Sequence, residues 1–233
     1  MAQREVQADV CLIGLGQMGI PVAACLIGAG LSVYGIDPSA EAREKLAALG
    51  GSAGADGSSG AGGATCVITL LPNGKVVREA LLGERGVLAV ASRGGNPLPE
   101  LVIDMSSSEP SDTVSLGRDL AALGVMLVDA PVSGGVRRAV EGKLTVMLGG
   151  EPEAAERAVR YLSPVASAIH RTGPLGSGHA VKALNNYVSA CGTAAAMEAV
   201  IVAERFGIAS ASLFDGLNGW RGRCYARLGN MTL

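Results

Sequence analysis

Short apolar runs closed by turn residues alternate along this chain with segments whose apolar positions recur at helical spacing. The runs 10–13, 32–36, 66–71, 101–105, 126–129 and 144–148 read as strands. Between them, 18–27, 39–49, 76–82, 111–123 and 152–161 read as helices. Near-continuous apolar strands separated by helices predict an α/β fold, with a doubly wound, mostly parallel sheet covered on both faces. Near Gly173 the rhythm changes. Gly173-Pro-Leu-Gly-Ser-Gly178 reads as a hinge, and 179–206 follows without a proline, rich in alanine at helical spacing. At roughly 1.5 Å per residue that helix would reach on the order of 40 Å, enough to join two domains. The expected division is a first domain over 1–175 and a partial helical domain over 176–233 that begins with the long interdomain helix. Gly50 to Gly63, with seven glycines in fourteen residues, breaks the pattern and reads as a flexible loop or linker.

Composition narrows the function classes. With 48% apolar residues the chain has ample core, while a net charge of -2 gives no general reason to bind nucleic acid or an anionic membrane. Aromatic residues make up only 3%, which leaves little for a base-stacking platform. The five cysteines, Cys11, Cys25, Cys66, Cys191 and Cys224, are odd in number and widely spaced, so they read as reduced thiols in a cytoplasmic protein. His170 and His179 are the only histidines, and no metal is expected. The N-terminus, with Arg4, Glu5 and Asp9 before a short apolar run, does not read as a secretory signal, and the longest apolar helix carries Lys182, Asn185, Asn186 and Glu198, against a membrane span.

Three glycine-bearing segments carry the candidate chemistry. Gly14-Leu15-Gly16-Gln17-Met18-Gly19 follows the first strand and opens a helix, the setting in which this spacing forms a dinucleotide-binding turn of Rossmann type. Asp37 ends the second strand, where a carboxylate accepts hydrogen bonds from ribose hydroxyls and repels a 2'-phosphate. NAD is therefore expected over NADP. Arg43 nearby argues the other way, and Asp37 also suits a cap before Pro38. Asp129-Ala-Pro-Val-Ser133-Gly134-Gly135 follows another strand, and its Ser-Gly-Gly either gathers amides around an anion such as a carboxylate or simply reverses the chain. Gly176-Ser-Gly178 leads into Lys182 and Asn186, one helical turn apart on one face. Only four lysines stand against fifteen arginines. A lysine amine can lose its proton where arginine cannot, so Lys182 is either an acid/base group or a solvated residue of the first turns.

In this order the segments resemble the 3-hydroxyisobutyrate dehydrogenases, or β-hydroxyacid dehydrogenases, and Lys182 sits on a helix similar to one in 6-phosphogluconate dehydrogenases. Leu70-Leu71-Pro72, Asp104-Met-Ser-Ser107 and Gly142-Lys-Leu-Thr-Val-Met-Leu-Gly149-Gly150 extend the resemblance, which runs from about Val10 to Ile208. It implies an NAD-dependent oxidoreductase of a small 3-hydroxy acid or its semialdehyde, with Lys182 as general acid/base. It further implies that Ser133, Gly134 and Gly135 receive the substrate carboxylate, that Asn186 orients the substrate, and that Leu71, Pro72 and Ser107 line the cofactor.

Relatives of this kind continue through further helices, whereas this chain has no lysine after Lys182 and ends at Leu233, so the helical domain is expected to be shortened. Its apolar face would then either be covered by a second copy, in a homo-oligomer such as a dimer, or leave a poorly stable fragment. Arg221, Arg223 and Arg227 read as a solvated terminus rather than a binding tail. The rival readings are a non-catalytic dinucleotide-binding homologue and an imine reductase, the latter disfavoured by Lys182.

Overall fold

The computed structural model describes residues 8–59 and 63–219. In chain order the elements are β1 (Val10–Ile13), α1 (Gly19–Gly28), β2 (Val33–Ile36), α2 (Ala40–Ala48), β3 (Ser52–Gly54), a single 3-10 turn (Gly57–Ser59), β4 (Cys66–Thr69), α3 (Gly74–Leu82) and α4 (Val87–Arg93). There follow β5 (Leu101–Asp104), α5 (Pro110–Ala122), β6 (Met126–Asp129), β7 (Val132–Ser133), α6 (Gly135–Val140), β8 (Leu144–Gly149), α7 (Pro152–Leu162), β9 (Ala166–Gly173), α8 (Ser177–Arg205) and α9 (Ser210–Gly219). The arginines at 221, 223 and 227 lie outside the described residues, as do Arg4, Glu5 and Cys224.

Among the described residues the strands form one sheet in the order β3-β2-β1-β4-β5-β6-β8-β7, with β9 paired to β8. Strands β1 to β6 are mutually parallel, while β8 runs antiparallel to β6 and β7 and parallel to β9. The strand order reverses between β1 and β4. In a doubly wound sheet that reversal opens a crevice at the carboxyl ends of the strands.

Strand alternation sorts the core into two layers. Val10, Leu12, Cys66, Ile68, Leu101 and Ile103 face a cluster completed by Leu26, Leu46, Ala158 and Leu162 of the flanking helices. Cys11, Ile13, Val67 and Val102 face the opposite cluster, with Val77, Leu81, Leu88, Leu116 and Leu120. Each of β1, β4 and β5 is buried along its whole length. This explains why they read as continuous apolar runs in the sequence.

Where the chain departs from expectation, tertiary contacts override local signal. The glycine-rich stretch forms edge strand β3, parallel to β2 with Tyr34 opposite Ser52, and then the 3-10 turn; residues 60–62 lie outside the described residues. Strand β9, Ala-Ser-Ala-Ile-His-Arg-Thr-Gly, is a half-exposed strand that offers no apolar run to read, and its pairing comes from β8. The expected hinge at 173–178 is instead tightly docked: a Cβ on Gly178 would lie 2.4 Å from the Met147 carbonyl oxygen and 2.9 Å from that of Asp129.

The chain divides into two compact units, Met1–Val181 and Lys182–Leu233, and the division falls inside α8. In the second unit Leu184, Tyr187, Val188, Ile201, Val202 and Phe206 are exposed, while Ala196 and Ala203 are buried. Of the described helices, α8 is the one long and apolar enough to cross a membrane, with a mean hydropathy of 1.2. Its first turn is bonded to the end of β6 through Asp129.

The packing of α1 on β1 depends on one missing side chain. A Cβ on Gly19 would lie 2.0 Å from the Gly14 carbonyl oxygen, whereas one on exposed Gly28, at the other end of the same helix, would meet nothing within 4 Å. Gly19→Ala is expected to lose about 1–3 kcal/mol of stability by overpacking. Gly28→Ala should be neutral or gain up to about 1 kcal/mol from helix propensity. Thermal unfolding of the two variants beside the parent checks both; equal midpoints would contradict the close approach.

Candidate functional site

At the crevice between β1 and β4, the exit of one strand is tied to that of the other. The Leu70 N-H donates to the Ile13 carbonyl at 2.8 Å, and the Gly14 N-H donates to the Ile36 carbonyl at 2.9 Å. Gly14 has φ +97°, and a Cβ there would stand 2.3 Å from the Leu70 oxygen. Gly16 differs: a Cβ on it would meet no protein atom within 4 Å. Its bareness is not demanded by protein packing and leaves a backbone that a ligand can approach closely. Gly16 and Gln17 are exposed, Met18 is half-buried and Leu15 is buried. Met18 caps α1 without a side-chain hydrogen bond, whereas Ser39 and Asn73 cap α2 and α3. The Ile20 and Val22 N-H groups return to the Gly16 and Met18 carbonyls and Pro21 has none, so what the start of α1 offers a diphosphate is the bare backbone around Gly16 at the positive end of a helix.

Asp37 holds the next part of the crevice. Its Oδ2 accepts the Leu15 N-H and its Oδ1 the Ser39 N-H, each at 2.8 Å. The carboxylate is thus fixed between the β1–α1 turn and the start of α2, with further acceptor capacity on each oxygen. It borders two hollows. One, of about 260 Å³, has an apolar lining of Ile13, Ile36, Leu71, Val76 and Ala80 and carries Asp56, Glu79 and Arg85. Arg85 forms an ion pair with Asp56. The other, of about 380 Å³, lies along Leu15, Gly16, Gln17 and Ser39. Arg43 Nη1 donates to the carbonyls of Asp37 and Pro38 at 2.7 and 2.9 Å, so its guanidinium sits beside the same corner. An apolar slot, a fixed acceptor carboxylate and an approachable glycine backbone at a helix N-terminus fit a dinucleotide.

The loops after β4 and β5 are joined, since the Leu71 N-H donates to Ser106 Oγ at 2.9 Å. Leu71 lines the apolar hollow, and Pro72 and Ser107 are exposed on the same loops. Ser133 lies on β7 opposite Thr145, and the chain then turns through Gly134 and Gly135 at φ +124° and +66° into α6. Both glycines are exposed and Ser133 is half-buried.

Asp129, the first residue of the second motif, ends β6 and is fully buried. Its carboxylate accepts the Gly176 N-H at 2.8 Å and the His179 N-H at 2.7 Å, which makes it the cap of α8 supplied from the sheet. Sequence reasoning missed this role and that of His179. The available signal was an acidic residue closing a strand, together with a histidine following the Gly176-Ser-Gly178 approach. Three residues along α8 from His179 stands Lys182, half-buried, with its amine held below the ordinary lysine range by burial, which disfavours the ammonium form. Asn186, one turn further, is exposed.

Comparison with known proteins accounts for nearly the whole described chain. Residues 9–173 match the family described as the NAD binding domain of 6-phosphogluconate dehydrogenase, and residues 176–232 match that described as NAD-binding of NADP-dependent 3-hydroxyisobutyrate dehydrogenase. A Mycobacterium tuberculosis protein named "Probable 3-hydroxyisobutyrate dehydrogenase" is 37% identical over 93% of this chain and 71% of its own length. The 2-(hydroxymethyl)glutarate dehydrogenase of Eubacterium barkeri is 32% identical over 95% of this chain and 72% of its own. The solved structure of Mycobacterium tuberculosis 3-hydroxyisobutyrate dehydrogenase with L-serine superposes with a TM-score of 0.87 at 36% identity, covering 97% of this chain and 75% of that one. With both halves matched in order and the dinucleotide turn in place, the chain belongs to the 3-hydroxyisobutyrate dehydrogenase family of NAD(P)-dependent β-hydroxyacid dehydrogenases.

Proposed function

We propose that this chain is an NAD-preferring dehydrogenase of a small 3-hydroxy acid or its semialdehyde, with Lys182 as general acid/base. The observation that carries the reading is the half-buried amine of Lys182, depressed by desolvation, on a helix whose start is capped by the sheet that carries the dinucleotide turn. The substrate class follows from what the relatives' names share. 3-Hydroxyisobutyrate and 2-(hydroxymethyl)glutarate both place a primary alcohol one carbon away from the carbon bearing a carboxylate.

When bound, the nicotinamide supplies a two-electron hydride acceptor or donor. Lys182 then takes the hydroxyl proton as the alcohol carbon gives up its hydride, and returns a proton to the carbonyl oxygen in the reverse direction. Ser133, Gly134 and Gly135 receive the carboxylate, Asn186 orients the substrate, and Leu71, Pro72 and Ser107 line the cofactor. The preference for NAD rests on Asp37, with the carboxylates of Asp56 and Glu79 on the same hollow adding like charge against a 2'-phosphate. Arg43 and Arg85 oppose it, but Arg43 is already engaged by two carbonyls and Arg85 is paired with Asp56. The exposed apolar side chains of the second unit support self-association, and the free thiols of Cys11, Cys25, Cys66 and Cys191 support a cytoplasmic location.

Lys182→Ala should lower kcat by about 10²–10⁴-fold, as expected for loss of a general acid/base, with NAD affinity retained. The sign of the pH dependence follows from the amine. Oxidation needs neutral Lys182, so its rate should rise with pH and level off at a midpoint below the reference value of 10.5. Reduction needs the ammonium and should fall through the same window. Steady-state rates in both directions against pH test this, and near-normal turnover without the amine would remove Lys182 from the mechanism.

Asp37→Ala should weaken NAD binding and narrow the gap to NADP, read by titrating each cofactor against both proteins. Tighter NADP binding by the parent would overturn the NAD preference.

A further inference from the structure

A set of buried polar groups outside the mechanism above gathers where α8 meets the sheet. His179, Asp104, Asp129, Thr113 and Ser106 are all buried. The His179 ring lies between two carboxylates, with Nδ1 3.6 Å from Asp129 Oδ2 and Nε2 3.9 Å from Asp104 Oδ2. Its hydrogen bonds go elsewhere. Nε2 is 3.1 Å from the Ser106 carbonyl, which can only accept, so Nε2 carries a hydrogen. Nδ1 is 2.8 Å from Thr113 Oγ1 on α5, and that hydroxyl also reaches the Glu109 carbonyl at 3.1 Å. Asp104 is satisfied separately by Thr69 Oγ1, the Ser106 N-H and Ser108 Oγ, at 2.8, 2.9 and 2.7 Å. Among the described residues no buried side-chain nitrogen or oxygen lacks a partner.

One ring thus fastens the first turn of α8 to the loop after β5 and to α5, while its backbone N-H fastens it to β6 through Asp129. An α-helix turns about 100° per residue, so a slip of one residue at this anchor would swing every later side chain of the helix to another direction. We infer that His179 is a positioning residue: it locks the rotation of α8 and thereby the aim of the amine one turn on, at Lys182. The kinetic part of the inference rests on the function proposed above. The fastening itself is independent of that function.

The test compares His179→Leu, which fills the space without polar atoms, with His179→Gln, whose amide N-H can still donate to the Ser106 carbonyl. In the Leu variant kcat should fall about 10- to 100-fold, the loss expected from misplacing a reacting group by about 1 Å, while NAD affinity stays near the parent's. The Gln variant should recover most of that loss. Should the Leu variant not fold, Thr113→Val removes only the Nδ1 partner and should lower kcat in the same pattern to a smaller extent.

A second readout does not need turnover. The protein has four lysines, so ¹³C-methylated amines can be followed by NMR and Lys182 assigned by its loss in Lys182→Arg. Its titration midpoint should move up toward the ordinary lysine range in the Leu variant and stay put in the Gln variant. If the parent oxidises no hydroxy acid, the proposed activity fails and this titration still decides the anchor. Parent-like kcat together with an unmoved Lys182 titration in a folded Leu variant would overturn the inference, as would equal losses in the Leu and Gln variants.

Discussion

The contact on which the rest of this structure leans is the buried carboxylate of Asp129 at the start of α8. A charge removed from water is costly unless it is paired and hydrogen-bonded, and here two backbone N-H groups of a helix N-terminus meet it. Charge-assisted bonds of this kind contribute about 1.5–3 kcal/mol each. Their geometry requires the helix to come very close to β6 and β8. Gly178 permits this, because any side chain there would strike the carbonyls of Met147 and Asp129. The glycine motif before the long helix is therefore a docking surface for backbone on backbone.

The same economy of side chains shapes the crevice between β1 and β4, at the same end of the sheet. Gly14 and Gly19 are bare because protein atoms crowd them, and Gly16 is bare where no protein atom does. Three glycines in one motif thus divide between packing and ligand approach. Asp37 links the two uses: by accepting amides from Leu15 and Ser39 it stiffens the turn, and it keeps acceptor capacity toward the hollows on either side. The reversal of strand order between β1 and β4 puts this motif at the mouth of the crevice.

Strands β1, β4, β5 and β6 were legible in the sequence because each lies in the middle of a covered sheet and is apolar on both faces. The dinucleotide turn was legible because Gly14 and Gly19 are fixed by steric contacts that only glycine satisfies, which keeps their spacing around Gly16. Edge elements were not. Strand β3 is built from small residues whose pairing with β2 comes from tertiary context, and β9 is a half-exposed edge without an apolar run. The anchor of α8 was also hidden, since Asp104, Asp129, Thr113 and His179 lie far apart in sequence and meet only when the sheet is assembled. Composition could show that histidine was scarce, but not that one of two would be buried between carboxylates.

A crystal structure of this protein with NAD and a 3-hydroxy acid bound would decide the role of Lys182. The Lys182 amine is expected within hydrogen-bonding distance, about 3 Å, of the alcohol oxygen, with the substrate carboxylate on the Ser133-Gly134-Gly135 turn. An amine turned to solvent and away from the reacting carbon would contradict it.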